Sequence, residues 1–139
     1  MSSSMKVFVN LPVKNLNKSI EFFTKLGFKF NAQFTDEKAT CMIIGEDSYS
    51  MLVVEEFFKT FTKKPISDAT KSTEVVVSLS VDSKAHVDDF VHKALAAGGK
   101  PANEPTDHGF MYEWGFQDLD GHLWGIFWMD PSVIVQDGG

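Results

Sequence analysis

The feature that most constrains the fold is a pattern that occurs twice, about half a chain apart. Residues 7–29 read VFVNLPVKNLNKSIEFFTKLGFK, and residues 75–100 repeat the order of that segment. In each copy a valine-rich strand ends in Leu-x-Val, a polar turn follows, and an amphipathic helix closes with glycine and lysine. Self-similarity at a fixed distance is typical of duplicated structural units. The sequence therefore predicts two copies of one βαβββ unit.

The first unit is predicted to begin with a strand over residues 5–13 and a helix that Asn15 caps and Gly27 ends. Alternating or apolar runs then predict three strands, over residues 28–35, 39–44 and 49–54. A short helix is expected over residues 55–62. Its three phenylalanines favour core packing or a partner contact, and a lid over a pocket is the third interpretation.

The second unit is predicted to begin with a strand over residues 73–81 and a helix capped by Asp82 or Ser83. A weak edge strand is expected over residues 101–105. Two further strands are predicted over residues 109–116 and 122–129, joined by a turn whose Asp120-Gly121 pair is a hairpin signal.

The 139-residue chain has room for one domain with one core. We divide it into a first unit (5–56), a helix and connection (57–72), a second unit (73–130) and a frayed tail (131–139).

The composition of the chain limits the kinds of partner and the cellular location that we expect for it. A net charge of −6 argues against a nucleic-acid surface and against an anionic membrane surface, since both need clustered Lys and Arg. No apolar run approaches the roughly 20 residues that span a bilayer. The N-terminal MSSSMK lacks the layout of a signal peptide, and the single cysteine, Cys41, allows no internal disulfide. These features favour a cytoplasmic protein.

Two motifs resemble the vicinal oxygen chelate superfamily, which includes glyoxalase I, bleomycin and fosfomycin resistance proteins, and extradiol dioxygenases. The segment FQDLDGHLWGIFW is similar to its Phe/Tyr-x-Asp-Pro-Asp-Gly-x-x-x-Glu signature. The segment VNLPVKNLNKSIEFFTKLGFK resembles its opening His-x-x-Leu-x-Val run. The resemblance implies an α+β fold in which two paired βαβββ units form an incomplete barrel around a ligand. It also implies a homodimer, as many members are.

The same resemblance implies a divalent metal held by His, His and Glu, but this chain departs from that pattern. The three ligand positions fall on Phe8, Val76 and Gly125, and a fourth position falls on Met51 or Leu52. None of these side chains binds a divalent cation, which needs imidazole or carboxylate here. We therefore predict no metal and no other cofactor.

Other titratable residues offer weaker candidates. His86 and His92 stand six apart on one helix and are not expected to chelate together. Asp107 beside His108 fits a capped turn better than an acid–base pair. Cys41, in an apolar strand, is expected to be a buried thiol rather than a nucleophile.

Alternation along the strands predicts which side chains line the cup of the family fold. Glu113 is a weak catalytic candidate, since a desolvated carboxylate there would have a raised pKa, but a solvated strand-edge position is at least as good an interpretation. The predicted lining residues are Phe8, Asn10, Met51, Val76, Ser78, Ser80, Glu113, Gly125 and Phe127.

Three functional hypotheses follow. The first is a metal-free protein that binds a small apolar or aromatic molecule. The second is a lyase, isomerase or dioxygenase with a non-standard metal site, so enzymatic activity stays open. The third is a protein with a closed cup that serves only as an interaction partner. The ligand's identity is not readable from the sequence.

Overall fold

A computed structural model describes residues 5–133, and the chain divides into two compact units between Asp68 and Ala69. This division falls inside the connection predicted for residues 57–72. Among the described residues, no helix is both long and apolar enough to cross a membrane.

The first unit contains one four-stranded sheet with a helix between its first two strands. The sheet order is β1-β4-β3-β2, with β1 parallel to β4 and the other pairs antiparallel. Its elements are β1 (Val7–Val13), α1 (Leu16–Lys25), β2 (Lys29–Asn31), β3 (Ala39–Ile43), β4 (Ser48–Val54) and the short helix α2 (Glu55–Phe58) with a 3₁₀ turn at Lys59–Phe61.

The ends of α1 are those that the sequence predicts. Asn15 accepts a hydrogen bond from the backbone N–H of Lys18 at 3.0 Å, which satisfies one of the free donors of the first turn. Gly27 follows the helix with φ of +104°, in the region that favours glycine. The apolar side of α1 presents Phe22 and Phe23, which are buried in the core of the unit.

The second unit repeats this plan. The sheet order is β5-β9-β8-β6, and β7 pairs with β8 beyond β6 along the same edge. Its elements are β5 (Val76–Ser80), α3 (Lys84–Ala96), β6 (Lys100–Pro101), β7 (Thr106–Asp107), β8 (Met111–Gln117) and β9 (Leu123–Met129). Ser83, one of the two predicted caps, accepts from the N–H of His86 at 3.0 Å.

Several predicted boundaries were wrong, including those of β1 and β5, which begin at Val7 and Val76 rather than at 5 and 73. The strand expected over residues 28–35 ends at Asn31, whose side chain accepts from the N–H of Gln33 and starts a 3₁₀ turn at Ala32–Phe34. The edge strand expected over residues 101–105 is replaced by β6 and β7, since Pro101 and Pro105 have no N–H for a ladder. β8 begins at Met111 rather than at 109.

The predicted α+β fold with two βαβββ-type units is confirmed, with one open sheet in each unit. The split of the edge strand into β6 and β7 adds one strand to the second unit. The predicted tail, residues 131–139, lies outside the described residues from position 134 onward.

A hydrogen bond from Tyr112 links β8 to α3, and it shifts the pKa of the tyrosine in a way that can be measured. Its hydroxyl donates to Asp88 Oδ1 at 2.6 Å, and this bond raises the pKa of Tyr112 to about 12. The bond therefore stabilises the fold fully below the ordinary tyrosine pKa of about 10, and that contribution is lost as pH rises through 12. We expect the Asp88→Asn variant to ionise Tyr112 at lower pH than wild type, measured by ultraviolet titration of the phenolate. An unchanged titration would contradict the assignment.

Candidate functional site

In the second unit α3 packs on one face of the sheet, and no helix among the described residues of this unit packs on the other face, which we call the open face. On the packed side, Phe116, Trp124 and Ile126 are buried, and the Phe116 ring stacks on Phe90 of α3 with centroids 6.2 Å apart. Side chains alternate between the faces of a strand, so residues 123, 125 and 127 of β9 lie on the open face.

The strand register brings the predicted residues of the second unit together on the open face. Across β5 and β9, the facing pairs are Val76 with Leu123, Ser78 with Gly125, and Ser80 with Phe127. Across β8 and β9, Glu113 faces Phe127 and Gly115 faces Gly125. The structure thus places all six predicted residues of this unit side by side, while their role in binding stays a prediction.

The three predicted residues of the first unit also share a sheet face, opposite α1. Asn10 faces Met51 across β1 and β4, and the Phe8 ring stacks on Tyr49 with centroids 4.8 Å apart. Phe8 keeps 48% of its surface exposed, so stacking on Tyr49 leaves much of the ring free to contact another molecule.

Glycines occupy two facing positions in the middle of the open face. A methyl group added at Gly125 would lie 3.0 Å from the Ser78 hydroxyl, a side-chain atom that can rotate away. A methyl group at Gly115 would lie only 2.7 Å from the backbone carbonyl oxygen of Trp124. Gly115 is therefore required by the fold, whereas at Gly125 the atom nearest to an added methyl group is a side-chain hydroxyl that can move.

The residues present do not fit the metal that the resemblance implies. Phe8 is stacked on Tyr49, Val76 is half exposed, and Gly125 has no side chain. Across residues 5–133, no three His, Cys, Asp or Glu side chains are grouped so that they could hold a metal ion.

Three of the four histidines are placed in different settings. His86 Nδ1 lies 3.0 Å from Asp82 Oδ1 at the start of α3, and the His92 ring lies edge-on to Trp114 at 5.2 Å. His108 is the exception, because its Nε2 lies 3.0 Å from Glu113 Oε2 on the open face. Sequence reasoning missed this pair because it compared His108 only with its neighbour Asp107.

Asp107 behaves as the capped-turn interpretation expects. Its carboxylate accepts from the N–H of Gly109 at 2.8 Å and from Lys84 Nζ at 3.0 Å. These bonds, the backbone bond first, lower the pKa of Asp107. The carboxylate is thus engaged by Gly109 and Lys84, and the residue that contacts the imidazole of His108 is Glu113.

Asp118 anchors the start of β9, although the sequence indicated only a turn here. Its Oδ1 accepts from the N–H groups of Asp120 and His122, and its Oδ2 accepts from Trp124 Nε1 at 3.0 Å. Only 3% of Asp118 is exposed, and this burial raises the pKa of the carboxyl although the hydrogen bonds oppose the shift. The motif that resembles the family signature therefore has a structural use, since it fixes the strand that carries Gly125 and Phe127.

The two remaining features from the sequence are the thiol of Cys41 and the phenylalanines of the short helix α2 and the turn after it. Cys41 is buried, and burial raises the pKa of its thiol, as expected for an unreactive cysteine. Phe57 and Phe58 each contact the Phe61 ring, with centroids 5.2 and 5.5 Å apart, so part of this group packs on itself. Phe61 is still half exposed, and a lid or a dimer contact stays a prediction.

The chain belongs to the Glyoxalase/Bleomycin resistance protein/Dioxygenase superfamily, whose model matches residues 7–126. The resemblance inferred from the two motifs is therefore confirmed. A search of curated proteins found no match.

Solved structures with the same fold include one relative at 34% identity, a hypothetical protein, SA1046, from S. aureus. That match has a TM-score of 0.75 and covers 91% of this chain and 94% of the other. A family enzyme from Burkholderia phytofirmans PsJN is 18% identical, with a TM-score of 0.76 and coverage of 88% and 96%. The fosfomycin resistance protein FosX from Listeria monocytogenes is 18% identical, with a TM-score of 0.66 and coverage of 95% and 98%.

Proposed function

We propose that this protein binds a small apolar or aromatic molecule on the open face of its second sheet, without the metal that its family resemblance implies. One observation carries the proposal. The face that holds two of the family's metal positions presents Val76 and Gly125 there, beside the hydroxyl groups of Ser78 and Ser80. Apolar surface with a few polar groups is the usual composition of a small-molecule site.

Exposed apolar area supports this interpretation. Val76 keeps 53% of its surface exposed at the edge of the sheet, and the Phe127 ring lies on the same face. Covering apolar surface stabilises a complex by about 25 cal/mol per Å², so a ligand lying across these side chains gains affinity from them. The serine hydroxyls beside Gly125 then offer hydrogen bonds that orient the ligand.

The family context agrees with a small-molecule role. The superfamily's name includes bleomycin resistance proteins, and FosX is named a fosfomycin resistance protein. A metal-dependent lyase, isomerase or dioxygenase has less support, because residues 5–133 offer no group of three donors. The homodimer and the cytoplasmic location stay predictions.

The test of this proposal replaces Gly125 with a larger residue. We expect the Gly125→Leu variant to bind the neutral fluorescent probe Nile red at least about tenfold more weakly than wild type, because the leucine side chain would cover the open face between Ser78 and Gly115. The measurement is a fluorescence titration of purified protein, with circular dichroism to show that each variant is folded.

Gly45 provides a matched control in the first unit. A methyl group added there also lies 3.0 Å from a serine hydroxyl, that of Ser48, but Gly45 follows β3 and lies outside the open face of the second sheet. The Gly45→Leu variant is expected to bind Nile red as wild type does. Equal binding by folded Gly125→Leu and wild type, or no saturable binding by wild type, would contradict the proposal.

A further inference from the structure

We propose that His108 and Glu113 form a dyad that recognises a weakly acidic hydroxyl group, such as that of a phenol, on the bound molecule. This inference rests on the proposed function and specifies the class of ligand. In it, His108 contacts the ligand and Glu113 is a positioning residue that acts through the imidazole.

The backbone fixes His108 beside β8. Its N–H donates to the carbonyl oxygen of Met111 at 2.7 Å, which closes a tight turn. Within that turn Gly109 has φ of +88° and donates to Asp107 Oδ1. These bonds fix the backbone of His108 beside β8, and the side chain reaches Glu113 with Nε2 3.0 Å from Oε2.

The carboxylate selects the tautomer of the ring. With Glu113 ionised and His108 neutral, Nε2 carries the proton and donates it to the carboxylate. Nδ1 then carries a lone pair, and no residue in the range 5–133 makes a hydrogen bond to it. The dyad thus presents one acceptor, and a hydroxyl donor on the ligand is the group that complements it.

The surroundings of this acceptor are aromatic. The His108 ring lies 6.3 Å from the ring of Phe110, which is about half exposed, and Glu113 faces Phe127 across the ladder. The pair formed by Gly115 and Gly125 is two residues further along, about 7 Å at the usual rise of a strand. An aromatic molecule over Gly125 can therefore reach the dyad with a substituent at its edge.

The nearby charged side chains do not compete with a ligand for the Nδ1 atom of His108. Asp107 accepts from both Lys84 and Gly109, so its carboxylate and the lysine charge are paired with each other. A carboxylate ligand would meet the negative charge of Glu113, whereas a neutral phenol would not. The geometry thus favours a hydroxyl donor over an anion.

The test compares two probes that differ in one hydrogen-bond donor, β-naphthol and its methyl ether. Wild type is expected to bind β-naphthol about three- to tenfold more tightly than the ether, the size of one hydrogen bond. In the His108→Leu variant the ratio is expected to fall to about one while affinity for the ether is kept. The Glu113→Gln variant is expected to show an intermediate ratio, because an amide fixes the tautomer less strongly.

His92→Leu is the matched control, since His92 is also exposed but lies against Trp114 on the α3 side. It should leave the ratio unchanged. If both probes bind wild type equally, the dyad has no such role although the proposed function stands. If neither binds, the proposed function fails and this inference fails with it. A ratio that His108→Leu leaves unchanged would also overturn the assignment.

Discussion

Replacing Asp118 with alanine is expected to lower the free energy of unfolding by about 3–5 kcal/mol. The carboxylate is the acceptor for two backbone N–H groups and for the indole N–H of the buried Trp124. The Trp124 donor is buried, and a buried donor left without a partner costs about 1–3 kcal/mol; the two part-buried backbone donors add a smaller loss. Chemical denaturation followed by tryptophan fluorescence measures the loss.

Asp36 is the matched control for this prediction. Its carboxylate also accepts from two backbone N–H groups, those of Lys38 and Ala39, but Asp36 is exposed to solvent. Water replaces the lost acceptor there, so Asp36→Ala is expected to cost no more than about 1 kcal/mol. Equal losses at the two positions would show that burial of the Asp118 hydrogen bonds is not what stabilises this turn.

Replacing Gly115 with alanine is expected to cost about 2–3 kcal/mol, whereas the same change at Gly125 should stay within about 1 kcal/mol. At Gly115 the new methyl group would lie 2.7 Å from a backbone oxygen in the adjacent strand, so β8 and β9 must move apart. At Gly125 it would meet the Ser78 hydroxyl at 3.0 Å, and that side chain can change rotamer. Thermal and chemical denaturation of the two variants provide the comparison.

These two glycines face each other across the β8–β9 ladder, on the same open face of the sheet. A difference between the stability losses of the two variants therefore measures how much room each position has for a methyl group. It does not measure the general cost of replacing a glycine in a strand. A loss at Gly125 as large as that at Gly115 would contradict the interpretation that the Ser78 hydroxyl can move away from a side chain at position 125.

The repeat of strand, helix and glycine was enough to predict the fold, because each copy carries its own caps and turns in local sequence. Asn15, Ser83 and Gly27 act at short range, and short-range signals are readable without coordinates. The side chains of β5 and β9 that share a face were predictable too, because side chains alternate between the two faces of a strand and residue numbers alone give that alternation.

What the sequence did not predict is a set of side-chain hydrogen bonds between residues two to six positions apart, which strand alternation does not reveal. Asn31 ends β2 early through a side-chain bond to its own backbone, which competes with a strand that the phenylalanine alternation favoured. The pairing of His108 with Glu113 follows from the tight turn that starts β8, and the predicted strand began two residues too early to show it. The buried acceptor role of Asp118 depends on Trp124, six residues away on β9.

The most direct test of the central claim is a Nile red titration performed before and after exhaustive dialysis against a chelator. The proposed metal-free site predicts saturable binding with the same dissociation constant in both samples, and no change when a divalent cation is added back. Binding that disappears on chelation and returns with the cation would contradict the account, because it would place a metal among residues that offer no donors for it.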